Sequence, residues 1–62
     1  MLSAHTRTIG TDQIPQYQGL IRCTDAKGEY LWERTLSIAR GTKEDALEDA
    51  HKEIAYIESL GA

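Results

Sequence analysis

From Thr42 to Gly61 the chain has little choice but to be a helix, and that constrains everything before it. Thr42 supplies a side-chain oxygen suited to an N-cap. Asp45 follows three residues later in capping-box spacing, with Asp where Glu is usual. Glu44 and Asp45 place negative charge in the first turn, where the helix dipole favours it. At about 100° per residue, Ala46, Leu47, Ala50, Ile54, Ile57 and Gly61 fall on one stripe, with Leu60 on its flank. Glu44, Asp45, Glu48 and Lys52 face away, and Gly61 is a natural stop. The pattern predicts a helix over 42–60. Its stripe is narrow and rich in alanine, so the helix can lie close against whatever it covers.

What it covers has to come from the preceding residues. Residues 17–25 and 29–39 read as two strands joined by Asp25-Ala26-Lys27-Gly28, a turn in which Asp suits the first position and Gly28 can take positive φ. Pairing Thr24 with Glu29 sets Cys23 against Tyr30 and Ile21 against Trp32. One face then carries Tyr17, Ile21, Cys23, Tyr30, Trp32, Leu36 and Ile38; the other carries Leu20, Arg22, Thr24, Leu31, Glu33, Thr35 and Ser37. A slip of one residue splits the apolar set across both faces. The loop is therefore read as four residues, or as a two-residue Lys27-Gly28 turn, and a three-residue loop is rejected. Arg34 falls on the apolar side, where it either snorkels to the sheet edge or marks a bulge. Trp32, Ile21 and Leu36 are expected beneath the Leu47–Ile54 side of the helix.

Residues 1–16 leave two readings open. Ala4-His5-Thr6-Arg7-Thr8-Ile9 suits a short strand, Gly10-Thr11-Asp12-Gln13 suits a turn, and Pro15 keeps Ile14 out of helix. The segment is either an extra strand, able to pair with a neighbouring chain, or a flexible arm. The fold class is thus α+β: an antiparallel hairpin, with or without a third strand, packed on one C-terminal helix, in the order (β)ββα, within a single domain of 62 residues.

A chain this short buries only about 60% of the surface its unfolded form exposes and usually needs a staple. Cys23 is the lone cysteine, so no intrachain disulfide is available, and a reducing compartment, the cytoplasm, is expected. His5, His51 and Cys23 lack zinc spacing. By elimination the expected staple is self-association, as a homodimer or larger oligomer. No apolar run approaches the ~20 residues of a membrane span, and residues 1–7 have no signal-peptide apolar core.

No catalytic constellation, cofactor motif or metal set is visible. His51 beside Glu48 and Asp49 is ordinary for a solvated helix, and Cys23 reads as a small apolar filler. The Glu44/Glu48 and Asp45/Asp49 pairs read as a solvated acidic face. The five glycines are scattered and form no phosphate loop. Trp32, Tyr30 and Tyr17, which on an open sheet could stack bases, share the face that the helix must cover.

Charge is more informative. Through Gly41, Arg7, Arg22, Lys27, Arg34 and Arg40 nearly balance Asp12, Asp25, Glu29 and Glu33. From Thr42 onward, Lys43 and Lys52 stand against Glu44, Asp45, Glu48, Asp49, Glu53 and Glu58. The pI is near 5.2 and the net charge is −3, which argues against general affinity for phosphate backbones. The expected function is a non-catalytic protein–protein interaction or regulatory module, acting by self-association and an acidic helix surface. Its candidate partner-binding residues are Leu20, Arg22, Leu31, Glu33, Glu44 and Glu48. The alternative is nucleic-acid binding through the open sheet face by Arg22, Lys27 and Arg34.

The run Gly41-Thr42-Lys43-Glu44-Asp45-Ala46-Leu47-Glu48-Asp49-Ala50-His51-Lys52-Glu53-Ile54 resembles the G-T-x-E-E-A-x-x-N-A-x-E-A-I segment of HicB-type antitoxins. The resemblance covers roughly a quarter of the chain and implies a non-enzymatic protein that sequesters an RNA-cleaving toxin. The ββα order is also similar to the C-terminal half of double-stranded-RNA-binding domains and to the arm-binding domains of phage integrases.

Overall fold

The computed structural model describes residues 1–61. Three strands, β1 (Leu2–Gly10), β2 (Pro15–Thr24) and β3 (Tyr30–Arg40), form one antiparallel sheet in the order β1-β2-β3 and are followed by α1 (Lys43–Leu60). The chain is therefore α+β with the order βββα, and the N-terminal segment is a strand of this sheet rather than an arm. β1 pairs with β2 from Leu2↔Cys23 to Gly10↔Pro15 without interruption. Gly10 makes the turn possible: its φ is +87°, and Thr11 bonds Ile14 through both backbone and hydroxyl.

The β2–β3 connection corrects the expected loop. The Asp25 N–H donates to Glu29 O at 2.9 Å and the Gly28 N–H donates to Asp25 O at 3.0 Å, which leaves Ala26, Lys27 and Gly28 as a three-residue loop. Asp25 Oδ1 accepts from the amides of Lys27 and Glu29, and Gly28 sits at φ +83°. Alone, this loop would turn the apolar residues of β3 to the wrong side. A bulge at Leu31 undoes the slip: Thr24 pairs Tyr30, but Cys23 pairs Trp32 and Ile21 pairs Arg34. Each strand thus keeps the side it was assigned, while Trp32 and Arg34 replace Tyr30 and Trp32 opposite Cys23 and Ile21. A second irregularity sets Gly19 alone against Leu36, Ser37 and Ile38.

The helix is fixed against the middle of the sheet by close approach. A Cβ on Gly19 would lie 2.6 Å from the Ala46 carbonyl oxygen and 3.2 Å from the Ala50 nitrogen. Gly19 below and Ala46 and Ala50 above are the small residues this contact requires, and all three are buried. Ile21 is the one large side chain fully enclosed. Thr42 caps the helix, with φ −133°, accepting the Asp45 N–H at 3.2 Å. Gly61 ends it in the right-handed region, its N–H reaching Ile57 O. The burial stripe runs through Ala46, Asp49, Ala50, Glu53, Ile54 and Ile57; Leu47, expected inside, is displaced to an exposed flank.

Candidate interaction surfaces

Because α1 rests on β1 and β2, β3 is the least covered strand. The pairing of Cys23 with Trp32 and Ile21 with Arg34 puts the even-numbered residues of β3 on the helix side. They extend past the helix flank. Trp32, expected in the core, is 41% exposed, and Ile38 is 54% exposed; only Leu36 and Arg40 are half-buried. The indole still lies on the side of Ile21, so the inside and outside of the sheet do not exchange. What differs is the breadth of the cover. One helix with an alanine stripe spans two strands, not three. Between α1 and β3 lies an open groove of about 370 Å³, lined by Arg34, Leu36, Ser37 and Ile38 of the strand and Asp49, Lys52 and Glu53 of the helix.

The groove is bridged by ion pairs. Arg34 Nη2 meets Glu53 Oε1 at 2.9 Å, so Arg34 snorkels from the helix side of β3 to the rim. Arg40 meets Asp49 with two bonds, Nε–Oδ2 at 2.7 Å and Nη2–Oδ1 at 3.1 Å. These bonds hold the Asp49 carboxyl below the usual carboxylate range; partial burial opposes the shift, and the charges of Arg40 and Lys52 add to it. The Arg40 guanidinium is raised by the same hydrogen bonds and charge. Beyond this pair the helix surface is acidic. Glu44, Asp45 and Glu48 are all exposed, and Lys52 offsets Glu48 at 3.1 Å. A shallow dip of about 220 Å³ there is lined by Arg40, Asp45, Glu48, Asp49 and Lys52.

The expected partner-binding residues do not form one patch. Leu20 lies on the side away from the helix but is only 8% exposed, so it offers little contact area. Arg22 and Glu33 are cross-strand neighbours there and pair with each other at 2.9 Å. Leu31, at the bulge, is 56% exposed. Glu44 and Glu48 stand apart on the helix. The three basic residues of the alternative also separate: Arg22 is on the open face, Lys27 is in the loop, and Arg34 is on the helix side, because strand alternation sends 22 and 34 to opposite faces. Both arginines are already matched to a glutamate.

Sequence patterning places Tyr30, Trp32 and Ile38 on the covered face, whereas in the structure they form an exposed edge. Its signal was present in the alanine stripe, too narrow to roof three strands, and in β3 carrying large apolar residues on both faces. Elsewhere, Ser3 Oγ bonds His5 Nε2 at 2.8 Å and Arg22 O at 3.3 Å, the second of these crossing between strands. Among the described residues no group of three or more His, Cys, Asp or Glu converges, and no helix is long and apolar enough to cross a membrane. In comparisons with known proteins, the chain matches no family, no curated protein and no solved structure.

Proposed function

We propose that this chain is a non-catalytic interaction module that works as a homodimer and offers its acidic helix face to a basic protein partner. The observation that carries the reading is excess surface. The isolated chain exposes 4594 Å², against about 4000 Å² for a folded monomer of its mass. Its radius of gyration is 12.5 Å, against about 10.6 Å for a compact domain of this length. Side chains such as Trp32, Tyr30 and Ile38 make up part of that excess, which a second subunit would cover. The helix face adds a field of carboxylates with few compensating cations, suited to steering a cationic surface.

Sedimentation from low micromolar to several hundred micromolar protein tests the self-association. The expected result is a concentration-dependent rise from one to two chains, and a clean monomer throughout overturns the reading. Retention on an immobilised duplex at low salt tests the competing class. The matched arginines predict none; strong, salt-sensitive retention would transfer the function to nucleic acid.

A further inference from the structure

We infer that the basic protein partner docks as an extended segment along the outer edge of β1, a fourth strand whose lysine or arginine side chains reach Glu44 and Glu58 of α1. The inference rests on the acidic-face reading just proposed and names the surface and the shape of its ligand. Backbone bonding shows what the edge offers. The Thr24 N–H donates to Met1 O at 2.9 Å and the Met1 nitrogen donates to Thr24 O at 2.7 Å. At the other end of the hairpin the Thr11 N–H donates to Ile14 O. The register between these pairs is unbroken, so bonding alternates and the odd-numbered residues of β1 hold β2. Leu2, Ala4, Thr6 and Thr8 therefore turn N–H and C=O outward, and among the described residues no hydrogen bond takes them up. Sheets protect their edges with bulges and charges. β3 has both: it is bulged at Leu31, irregular opposite Gly19, and carries Glu33, Arg34 and Arg40. β1 is an uninterrupted ladder of nine residues in which Arg7 is the only Lys, Arg, Asp or Glu, and Arg7 lies on the face away from the helix.

Charge selects the occupant. Asp49 and Glu53 reach across to Arg40 and Arg34 of β3, and Ala46 and Ala50 sit against Gly19 of β2. At about 100° per residue, the remaining flank of α1, on the β1 side, carries Glu44, Leu47, His51, Ile54 and Glu58. The carboxylates on the β3 flank are matched by arginine, and Glu48 is matched by Lys52 at 3.1 Å. Glu44 and Glu58 are exposed and enter no ion pair among the described residues. A strand added to β1 lies about 4.8 Å further out, and every second side chain on it points to the helix side. Long cationic side chains at those positions rise beside the flank that holds Glu44 near one end of the helix and Glu58 near the other. The residues between them face Arg7 and His5 on the other side of the sheet and need no positive charge. A second copy of this chain suits the edge poorly, because two-fold pairing there sets the acidic flanks of two helices side by side. Strand addition draws its affinity from main-chain bonds and its specificity from alternate side chains, the two things this edge supplies.

The probe is a capped nonapeptide of alternating threonine and lysine, titrated at low salt into isotope-labelled protein and followed by amide NMR. At saturation, hydrogen exchange at Ala4, Thr6 and Thr8 should slow by at least about tenfold, while Ser3, His5 and Arg7, already bonded to β2, change far less. E44Q and E58Q, both at exposed helix positions, should each weaken binding about two- to fivefold. A peptide with glutamate in place of lysine should not bind. Methylating the backbone nitrogen of each lysine keeps the charge and removes the donors that face β1, and this peptide should bind at least about tenfold less tightly than the parent. Equal binding by the methylated peptide, with shifts confined to α1, overturns the β1 edge and leaves the acidic-face reading standing. Protection of Ala4, Thr6 and Thr8 that grows with protein concentration in the absence of peptide gives the edge to a second copy and overturns the basic segment. Absence of binding by either lysine peptide at millimolar concentration removes the inference and the basic-partner reading together.

Discussion

Gly19 controls how near the helix can come. A methyl group there would meet the Ala46 carbonyl at 2.6 Å and the Leu36 side chain at 3.1 Å. The first neighbour is helix backbone and cannot swing away as a side chain can. Gly19→Ala should therefore lift α1 and loosen the contact around Ile21, destabilising the protein by about 1–3 kcal/mol, the usual range for overpacking. Urea unfolding at fixed protein concentration measures this as a lower midpoint with a little-changed slope. Asp49 sets a second dependence at this scale. Its carboxyl is held below its ordinary value chiefly by the Arg40 hydrogen bonds. Such a group contributes stability above its unfolded pKa of about 3.9 and loses that contribution as pH falls through the lower folded value. Asp49→Asn should therefore be less stable than the parent at neutral pH, and the gap should narrow as pH falls below about 4. Melting curves at a series of pH values from neutral to acid follow the difference, and a constant gap would deny the pair its role.

At the scale of elements, the helix stands on its cap. Thr42 accepts the Asp45 amide at 3.2 Å, a first-turn donor that has no carbonyl partner within the helix. Thr42→Ala should cost about 1 kcal/mol, and Thr42→Ser much less, because serine keeps the oxygen. Denaturation followed by helix ellipticity separates the two variants. This element was legible in the sequence because cap, stripe and stop are all local signals. The hairpin was legible only in part. Its strands and apolar side follow from alternation, but Gly28 closes a three-residue loop whose parity is restored by a bulge at Leu31, two positions into the next strand. Two compensating irregularities leave the pattern of inward residues unchanged, so periodicity cannot reveal them. Trp32 differs from expectation for another reason. Alternation gives its face, but its exposure depends on where across the sheet the helix rests, and that is decided by Gly19 on the central strand. The candidate surface was legible to the same degree: the acidic helix face follows from composition, whereas the bare edge of β3 requires knowing which strands the helix leaves uncovered.

For the whole molecule, the shortage of enclosed material is the governing fact. Among the described residues, Leu20, Ile21, Ala46 and Ala50 are the buried apolar ones, and Ile21 alone among large side chains is sealed. So small a core leaves little margin over the conformational entropy lost on ordering the chain. If the second subunit supplies the missing burial, unfolding and dissociation are one event, and stability follows concentration by mass action. Unfolding two chains of this length releases roughly 0.26 kcal/mol/K, from about 2.1 cal/mol/K per residue. A tenfold rise in protein shifts the balance by about 1.4 kcal/mol, so the melting temperature should climb by about 5 °C for each tenfold increase. Calorimetry over two decades of concentration reads this directly. The same series on Trp32→Ala separates the contributions: a folded variant whose midpoint no longer moves with concentration has lost the partner and kept the monomer, and a parent midpoint that is flat from the start would mean that this small core holds the chain alone.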